Sequence, residues 1–581
     1  MKKDIKSLFA GVLSLTLVLS TLSCKKMFDI SPEDALEYDK NYQNVNDADA
    51  AVWGIYGKFV QVADQYMVLN ELRADLEDVT PRSTKYLREI NEHAVSAENP
   101  WADPKPFYEI IINCNDVLAN LDRMLQDKRL SEADYNIRYS EVGAVRTWVY
   151  LQLGIHYGTI PYITDPLASI KDVQDESKYP RIPFDQLLTN LVQFAEALPN
   201  KDPIVSGSLY RTLDGNNTRK MMVNKYLLLG DLHLWKQNWQ QAAGYYQKMM
   251  NYADIERPAK NDEQWYETYK VSAWRSQIVG ANWDDIFSLA YNERYSNYNI
   301  IWQIPFSKTF GPKNPFIELY SATGGNYQIK ASDLAIQNWE NQTRIGNSLV
   351  DVNRGEQNSY RSKSLPEIIK LIPNYNSQEP FETAGKWILY RAPLLHLRMS
   401  EAANQVGLDS ISDALLNRGI QNTFRPASVP SNVTNIMQTV KDVNSPFYFD
   451  ARNGNAPSYR APWYRNDGIR GSNGLLPAKV DSAQYFDMTN AGEPDKPFTD
   501  EAGFRRAMQD LLLEEAALEL AFEGNRWPDL LRTALRRKAV DPNYLANKIA
   551  AKFEAKGDMA TAGAVRARLA NEANWYLPFK L

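Results

Sequence analysis

A chain of 581 residues with 44% hydrophobic and 23% charged residues can bury a large core and has ordinary globular composition. A net charge of −6, with no dense Lys/Arg tract to displace phosphate counterions, excludes a nucleic-acid partner. Fourteen Trp and 33 Tyr exceed what a core of this size needs, and such amphipathic rings gather at recognition surfaces as well as between helices.

The chain opens with Lys2, Lys3 and Lys6, followed by a mostly apolar run from Leu8 to Leu22 that ends at Ser23-Cys24. That run is too short to span a bilayer and reads as a signal-peptide core, so residues 1–23 are expected to be removed. A cysteine directly after a small residue resembles a bacterial lipobox, which makes Cys24 the expected lipidation site and 24–45 an anchor and tether. Cys114 is the one other cysteine. With Cys24 acylated no disulfide can form, and Cys114, in the apolar run from Ile110, reads as a small buried hydrophobe.

The body is expected over 46–581. A first helix begins near Asn46 or Asp47 and carries Trp53, Ile55 and Phe59. Helical spacing follows over 107–125 and from Ser131 or Glu132 to Tyr157, stopped by Gly158 with Pro161 beyond it. Pro183 to Leu198 is the next helix. Thr218 is positioned to cap a helix through Leu234. After a turn at Gln237-Asn238, Trp239, Ala242, Ala243 and Tyr246 carry the small-and-aromatic packing code of a tetratricopeptide-type hairpin. One such hairpin cannot bury its own face, so several should stack. Residues 254–384 and 426–500 are loop-rich insertions, with Ile300 to Ile304 alternating like a strand. Helical code returns over Trp387–Val406, Asp413–Thr423 and Glu501–Glu523, the last with Gly524 as its stop. The fold class is therefore mainly all-α, with stacked tetratricopeptide-like hairpins, long loop-rich insertions and few short strands. The scaffold occupies 46–253 and 385–425, and C-terminal helices occupy 501–581. Insertions this long are functional or disordered, and their aromatic content argues for function.

The segment from Leu518 to Leu530, with Glu523-Gly524-Asn525-Arg526-Trp527-Pro528-Asp529 at its centre, resembles the C-terminal signature of the SusD/RagB family. Three other stretches are similar to the same family: Arg391 to Ala402 with its Glu401-Ala402 pair, Ala144–Trp148 leading to Tyr157–Pro161, and Arg219–Leu234 with Trp239–Tyr246. Ala516 and Ala517 depart from the pattern, which usually has arginines there. The resemblance implies a non-catalytic, surface-exposed, lipid-anchored protein of the cell outer membrane. Such a protein binds an oligosaccharide, or a peptide, and passes it to a SusC-like TonB-dependent transporter. Glu523, Arg526 and Asp529 read as a structural charge network around the helix stop.

Enzymatic signatures are sparse. The four His residues stand singly, and no His-Glu-x-x-His zinc pair, Gly-x-Ser-x-Gly turn or phosphate-binding glycine loop is present. No cofactor or metal is expected. A surface glycoside hydrolase is the alternative, because two carboxylates flanking a sugar need no motif. A pure scaffold without ligand is a third reading. For binding, the resemblance directs attention to the stretch after the first helix and to the middle insertion. The candidates there are Arg73, Asp75, Asp78 and Trp101, with Tyr295, Tyr298, Trp302, Tyr320 and Tyr327 as aromatic platforms.

Overall fold

The computed structural model describes residues 41–167, 175, 177–213, 215–250, 286–288, 299–307, 312–346, 349–424, 439–449, 468–486 and 499–581. Cys24, Tyr295 and Tyr298 lie outside the described residues.

The first helix, α1 (Val45–Phe59), starts from a capping box. The Asn44 side chain accepts from the Asn46 amide, and the Asp47 carboxylate accepts from the Asn44 amide in return. The chain then stays helical with changing pitch through a 3₁₀ turn (Val60–Val62), a short α segment (Ala63–Met67) and a π turn (Val68–Leu72). Those changes aim the residues that follow into the interior. A short helix, α2 (Lys85–Asn91), comes next. Helices α3 (Lys105–Gln126) and α4 (Glu132–Tyr157) pack together, and α4 is capped by Ser131 and ends at Gly158 with φ 69°. The following helix, α5 (Phe184–Glu196), packs on α4.

The helix expected from Thr218 is divided. Asn217 caps only a 3₁₀ turn over Thr218–Lys220, and α6 (Lys225–Trp235) starts afresh at Asn224. The reason is a backbone amide in demand elsewhere: Val223 donates to the Tyr56 hydroxyl at 3.0 Å and to Glu141 at 2.9 Å, both buried. With α7 (Trp239–Met250), α6 makes the tetratricopeptide-like hairpin that the Ala/Tyr spacing predicts. Ala242, Ala243 and Tyr246 are fully buried, and the Tyr246 hydroxyl donates to Asp231 at 2.7 Å.

Among the described residues, eight short strands form four two-stranded antiparallel pairs: β1 (Glu77–Val79) with β7 (Ile329–Ala331), β2 (Ile160–Pro161) with β3 (Arg181–Ile182), β4 (Thr212–Leu213) with β5 (Asn216–Asn217), and β6 (Ile300–Phe306) with β8 (Gly385–Arg391). The last pair corrects an expectation, since Trp387 to Arg391 is strand rather than the start of a helix. Trp-Ile-Leu-Tyr suits a sheet. Pairing with β6 fixes it there, and Pro393 opens the helix that follows, α8 (Ala392–Gln405). The expected helix over Asp413–Thr423 is likewise broken into pieces around Gly419, whose φ is 81°. The C-terminal part holds α9 (Glu501–Glu519), α10 (Arg526–Arg537) and a final packed pair, α11 (Tyr544–Ala555) and α12 (Met559–Leu569).

Scaffold helices and the β6–β8 ribbon meet in one aromatic knot. Phe59 stacks on Trp302 at 5.7 Å and on Trp387 at 5.3 Å, with Trp148 edge-on to Phe59 at 5.1 Å. Buried apolar residues from Ala48 to Leu577 join in one contiguous cluster. In the hairpin, a Cβ on Gly230 would come within 2.3 Å of the Tyr246 ring. We therefore expect Gly230→Ala to destabilise the protein by about 1–3 kcal/mol through overpacking, read as a lowered urea midpoint at unchanged slope.

Candidate ligand-binding site

The arm from Asn70 to Asp78 follows the π turn into the core, and its predicted binding residues are spent there. Arg73 lies 3.9 Å over the Trp527 ring and donates to the Trp575 carbonyl at 2.6 Å. Burial pushes its guanidinium down to about 9. Asp75 is gripped in bidentate fashion by Arg526, at 2.6 and 2.7 Å. Asp78 pairs with Lys556 at 2.8 Å and accepts from Asn91. Trp302 belongs to the aromatic knot and donates to the Met221 carbonyl at 3.1 Å, while the Tyr320 hydroxyl donates to buried Glu77 at 3.0 Å. All five are buried, which corrects their reading as ligand contacts. A carboxylate and an arginine close in sequence to a helix end serve equally well to close an internal ion pair, and here they do so.

Close to the arm lies a set of buried ion pairs around the end of α9. The helix predicted to run to Glu523 stops at Glu519 because side chains take its terminal carbonyls. Arg391 donates to the Glu519 carbonyl, and Lys370 donates to those of Glu519 and Ala521 at 3.3 and 2.9 Å. Phe522 and Gly524 then adopt positive φ of 64° and 81°. A Cβ on Gly524 would fall 2.1 Å from the Tyr66 ring, so glycine is required by space as well as by conformation. On the far side of the turn, Glu71 accepts from the amides of Phe522, Gly524, Asn525 and Arg526, between 2.7 and 3.3 Å. A carboxylate at the start of α10 and cations at the end of α9 each complement the helix dipole. Arg391 also clasps Glu523 at 2.6 and 2.7 Å and Glu519 at 2.6 Å. Arg354 holds Glu515 at 2.7 Å and Glu519 at 3.0 Å. Arg398 pairs with Asp529, and Arg532 with Glu401 at 2.9 and 2.6 Å. The family-like stretches around 391–402 and 518–530 thus meet in buried ion pairs, Arg391 with Glu519 and Glu523 and Arg398 with Asp529, while Arg526 pairs with Asp75 of the arm.

What remains for a ligand lies on the loops that this frame supports. Tyr327 is half-buried, with an unusual positive φ of 47°. Its carbonyl accepts from Thr80 Oγ1 at 2.5 Å, and the next carbonyl, of Gln328, accepts from the Thr80 amide and the Ser83 hydroxyl. A strained aromatic residue held from both sides is a usual mark of a functional position. The half-buried Tyr375 packs on Gly324, three residues before Tyr327 in the chain, where a Cβ would meet its hydroxyl oxygen at 2.0 Å. Tyr375 stands within Pro373-Asn374-Tyr375-Asn376, a turn-forming stretch whose local pattern carries no binding signal. Trp101 is half-buried on a 3₁₀ turn capped by Asn99, and Gln65 donates to its carbonyl at 2.9 Å. Helix α2 braces both regions: Arg88 donates to the Thr80 carbonyl and Glu89 accepts from Ser96 and Asn99. Of the predicted set, Trp101 and Tyr327 keep exposed ring surface, and Tyr375 joins them. Among the described residues no group of three or more His, Cys, Asp or Glu is arranged to hold a metal, and no helix is long and apolar enough to cross a membrane.

This is a helical body with partly exposed aromatic residues on its loops, and solved structures share its fold. No protein-family model matches the sequence, and neither does any curated protein. A SusD superfamily protein from Bacteroides thetaiotaomicron VPI-5482 aligns over 92% of this chain and 95% of its own, at 14% identity and TM-score 0.56. A laminarin-binding SusD-like protein aligns over 89% and 94%, at 14% identity and TM-score 0.51. Surface glycan-binding protein A from Bacteroides uniformis aligns over 86% and 90%, at 14% identity and TM-score 0.50. The chain therefore has the SusD-superfamily fold.

Breaking one partner of the buried network should cost far more than breaking a surface pair. Glu519→Gln is expected to lose about 3–5 kcal/mol of unfolding free energy. Removing the exposed Lys538–Glu572 pair by Glu572→Gln should lose less than about 1 kcal/mol, both measured by urea titration. Glu71 gives a pH signature. Burial pushes its carboxyl from 4.5 up to about 7 despite its four amide partners. The folded state therefore holds the proton more tightly than the unfolded chain, so this group's contribution is complete below pH 4.5 and is lost as pH rises through 7. Wild-type stability should carry a downward slope over that window worth about 3 kcal/mol, which Glu71→Gln removes.

Proposed function

We propose that this protein is a non-catalytic, lipid-anchored glycan-binding protein that captures an oligosaccharide and passes it to a SusC-like TonB-dependent transporter. The observation that carries the reading is the fold, shared along nearly the whole chain with two proteins whose names state glycan or laminarin binding. We take the partly exposed Tyr327, Tyr375 and Trp101 together as a candidate aromatic ledge. Tyr327, Tyr375 and Trp101 offer aromatic faces of the kind that stack on sugar rings, on loops braced by hydrogen bonds. The carboxylates of the arm, Glu71, Asp75, Glu77 and Asp78, are buried, which removes these four as an acid–base pair across a sugar. Anchoring through Cys24 at the outer membrane follows from the N-terminal pattern, and the transporter partnership follows from the resemblance.

Calorimetry of the mature protein against a panel of soluble α- and β-glucan oligosaccharides, with peptides of similar length alongside, tests this. Saturable glycan binding without new reducing ends is expected, and Tyr327→Ala and Tyr375→Ala should each weaken it at least tenfold, about 1.4 kcal/mol. Binding only of peptides, or steady release of reducing ends, would overturn the reading.

A further inference from the structure

A second recess is built from other elements. A cleft of about 470 Å³ opens between the outer face of α1, strand β4, the end of the Thr218–Lys220 turn and strand β6. Its walls are apolar: Trp53, Val60, Leu213, Met221 and Ile304. Gln61 and Ser307 bring the polar side chains, while the hydroxyl of Tyr56 is turned inward to Glu141 and Val223. Gly57 forms part of the floor, and a Cβ built there meets no atom within 4 Å. Glycine is the poorest helix former after proline, and no packed neighbour calls for it at this position. Its effect is to leave the helix surface bare beneath the cleft.

We infer that this cleft is a binding site for an alkyl chain carried on a larger amphiphilic molecule. Size supports this, since an apolar cavity of about 150 Å³ accepts benzene, and one about three times larger holds an eight-carbon chain. Chemistry supports it too. A bare sugar ring needs partners for several hydroxyls, and two polar side chains cannot supply them. The open side leaves room for a polar remainder in water, and the site stands independently of glycan binding at the ledge.

The test is calorimetry with n-octyl β-D-glucoside, below its micelle threshold, on the full mature protein, with methyl β-D-glucoside as the matched probe lacking the chain. One saturable site for the octyl compound is expected, with the methyl compound at least tenfold weaker. Gly57→Leu should fill the cleft and weaken octyl binding at least tenfold, while its melting temperature equals or exceeds that of wild type because leucine favours the helix. Gly54→Leu, on the same exposed face but outside the cleft lining, should bind as wild type, and Trp53→Ala provides a second loss independent of the glycine. Absence of saturable octyl binding, equal affinity for the methyl compound, or unchanged affinity in both Gly57→Leu and Trp53→Ala would overturn the inference. Loss of glycan binding at the ledge with octyl binding intact would bear on the ledge alone.

Discussion

The turn between α9 and α10 is the constraint on which the rest of the structure depends. Two helices end and begin within a few residues, and both sets of orphaned backbone groups are buried. Arg391 and Lys370 take the carbonyls, and Glu71 takes the amides. These three side chains come from the ribbon, the middle insertion and the N-terminal arm, so one turn fastens three distant segments. Leaving any of those backbone groups unpaired in the interior would cost on the order of 1–3 kcal/mol each. Arg354, joined to Glu515 and Glu519, adds a further attachment from the insertion.

A clamp of this kind explains how loops can carry function. Tyr327 and Tyr375 lie on irregular chain, yet the backbone at Tyr327 and Gln328 is tied to Thr80 and Ser83, just beyond the buried Asp78–Lys556 pair. A rigid helical frame with functional loops on it allows a recognition surface to vary while the frame keeps its packing. The strain at Tyr327 is sustained because its neighbours on both sides are held.

Much of the frame was legible in the sequence. Ser131, Gly158 and the Trp239–Tyr246 spacing report local physics, namely a cap, a stop and close helix contact, which act over one or two turns, whereas the first helix is capped by Asn44 and not by the expected Asn46 or Asp47. The errors came where a distant group overruled local preference. Trp387 to Arg391 looks helical beside α8 until β6 pairs with it. Thr218 is a sound cap whose helix is interrupted because Val223 donates to Tyr56 and Glu141. Glu519 ends α9 early because Arg391 takes its carbonyl. The candidate site was less legible for the same reason. Charge and aromaticity mark a residue as able to bind something, and for Arg73, Asp75, Asp78, Trp302 and Tyr320 that something is the protein itself. Tyr375 could not be found from sequence, because its role depends on packing against Gly324, some fifty residues away in the chain.

By itself the sequence determined the class of fold, the tetratricopeptide-like hairpin and the importance of the 518–530 stretch. Each of these rests on interactions between residues near one another in the chain, where spacing alone sets geometry. Tertiary structure decided which polar residues are ion-paired inside and which aromatics face outward, and where a bare helix face beside Gly57 becomes a cleft. Those outcomes depend on what lies across the core, and solvent exposure is a property of the assembled surface that residue type does not specify.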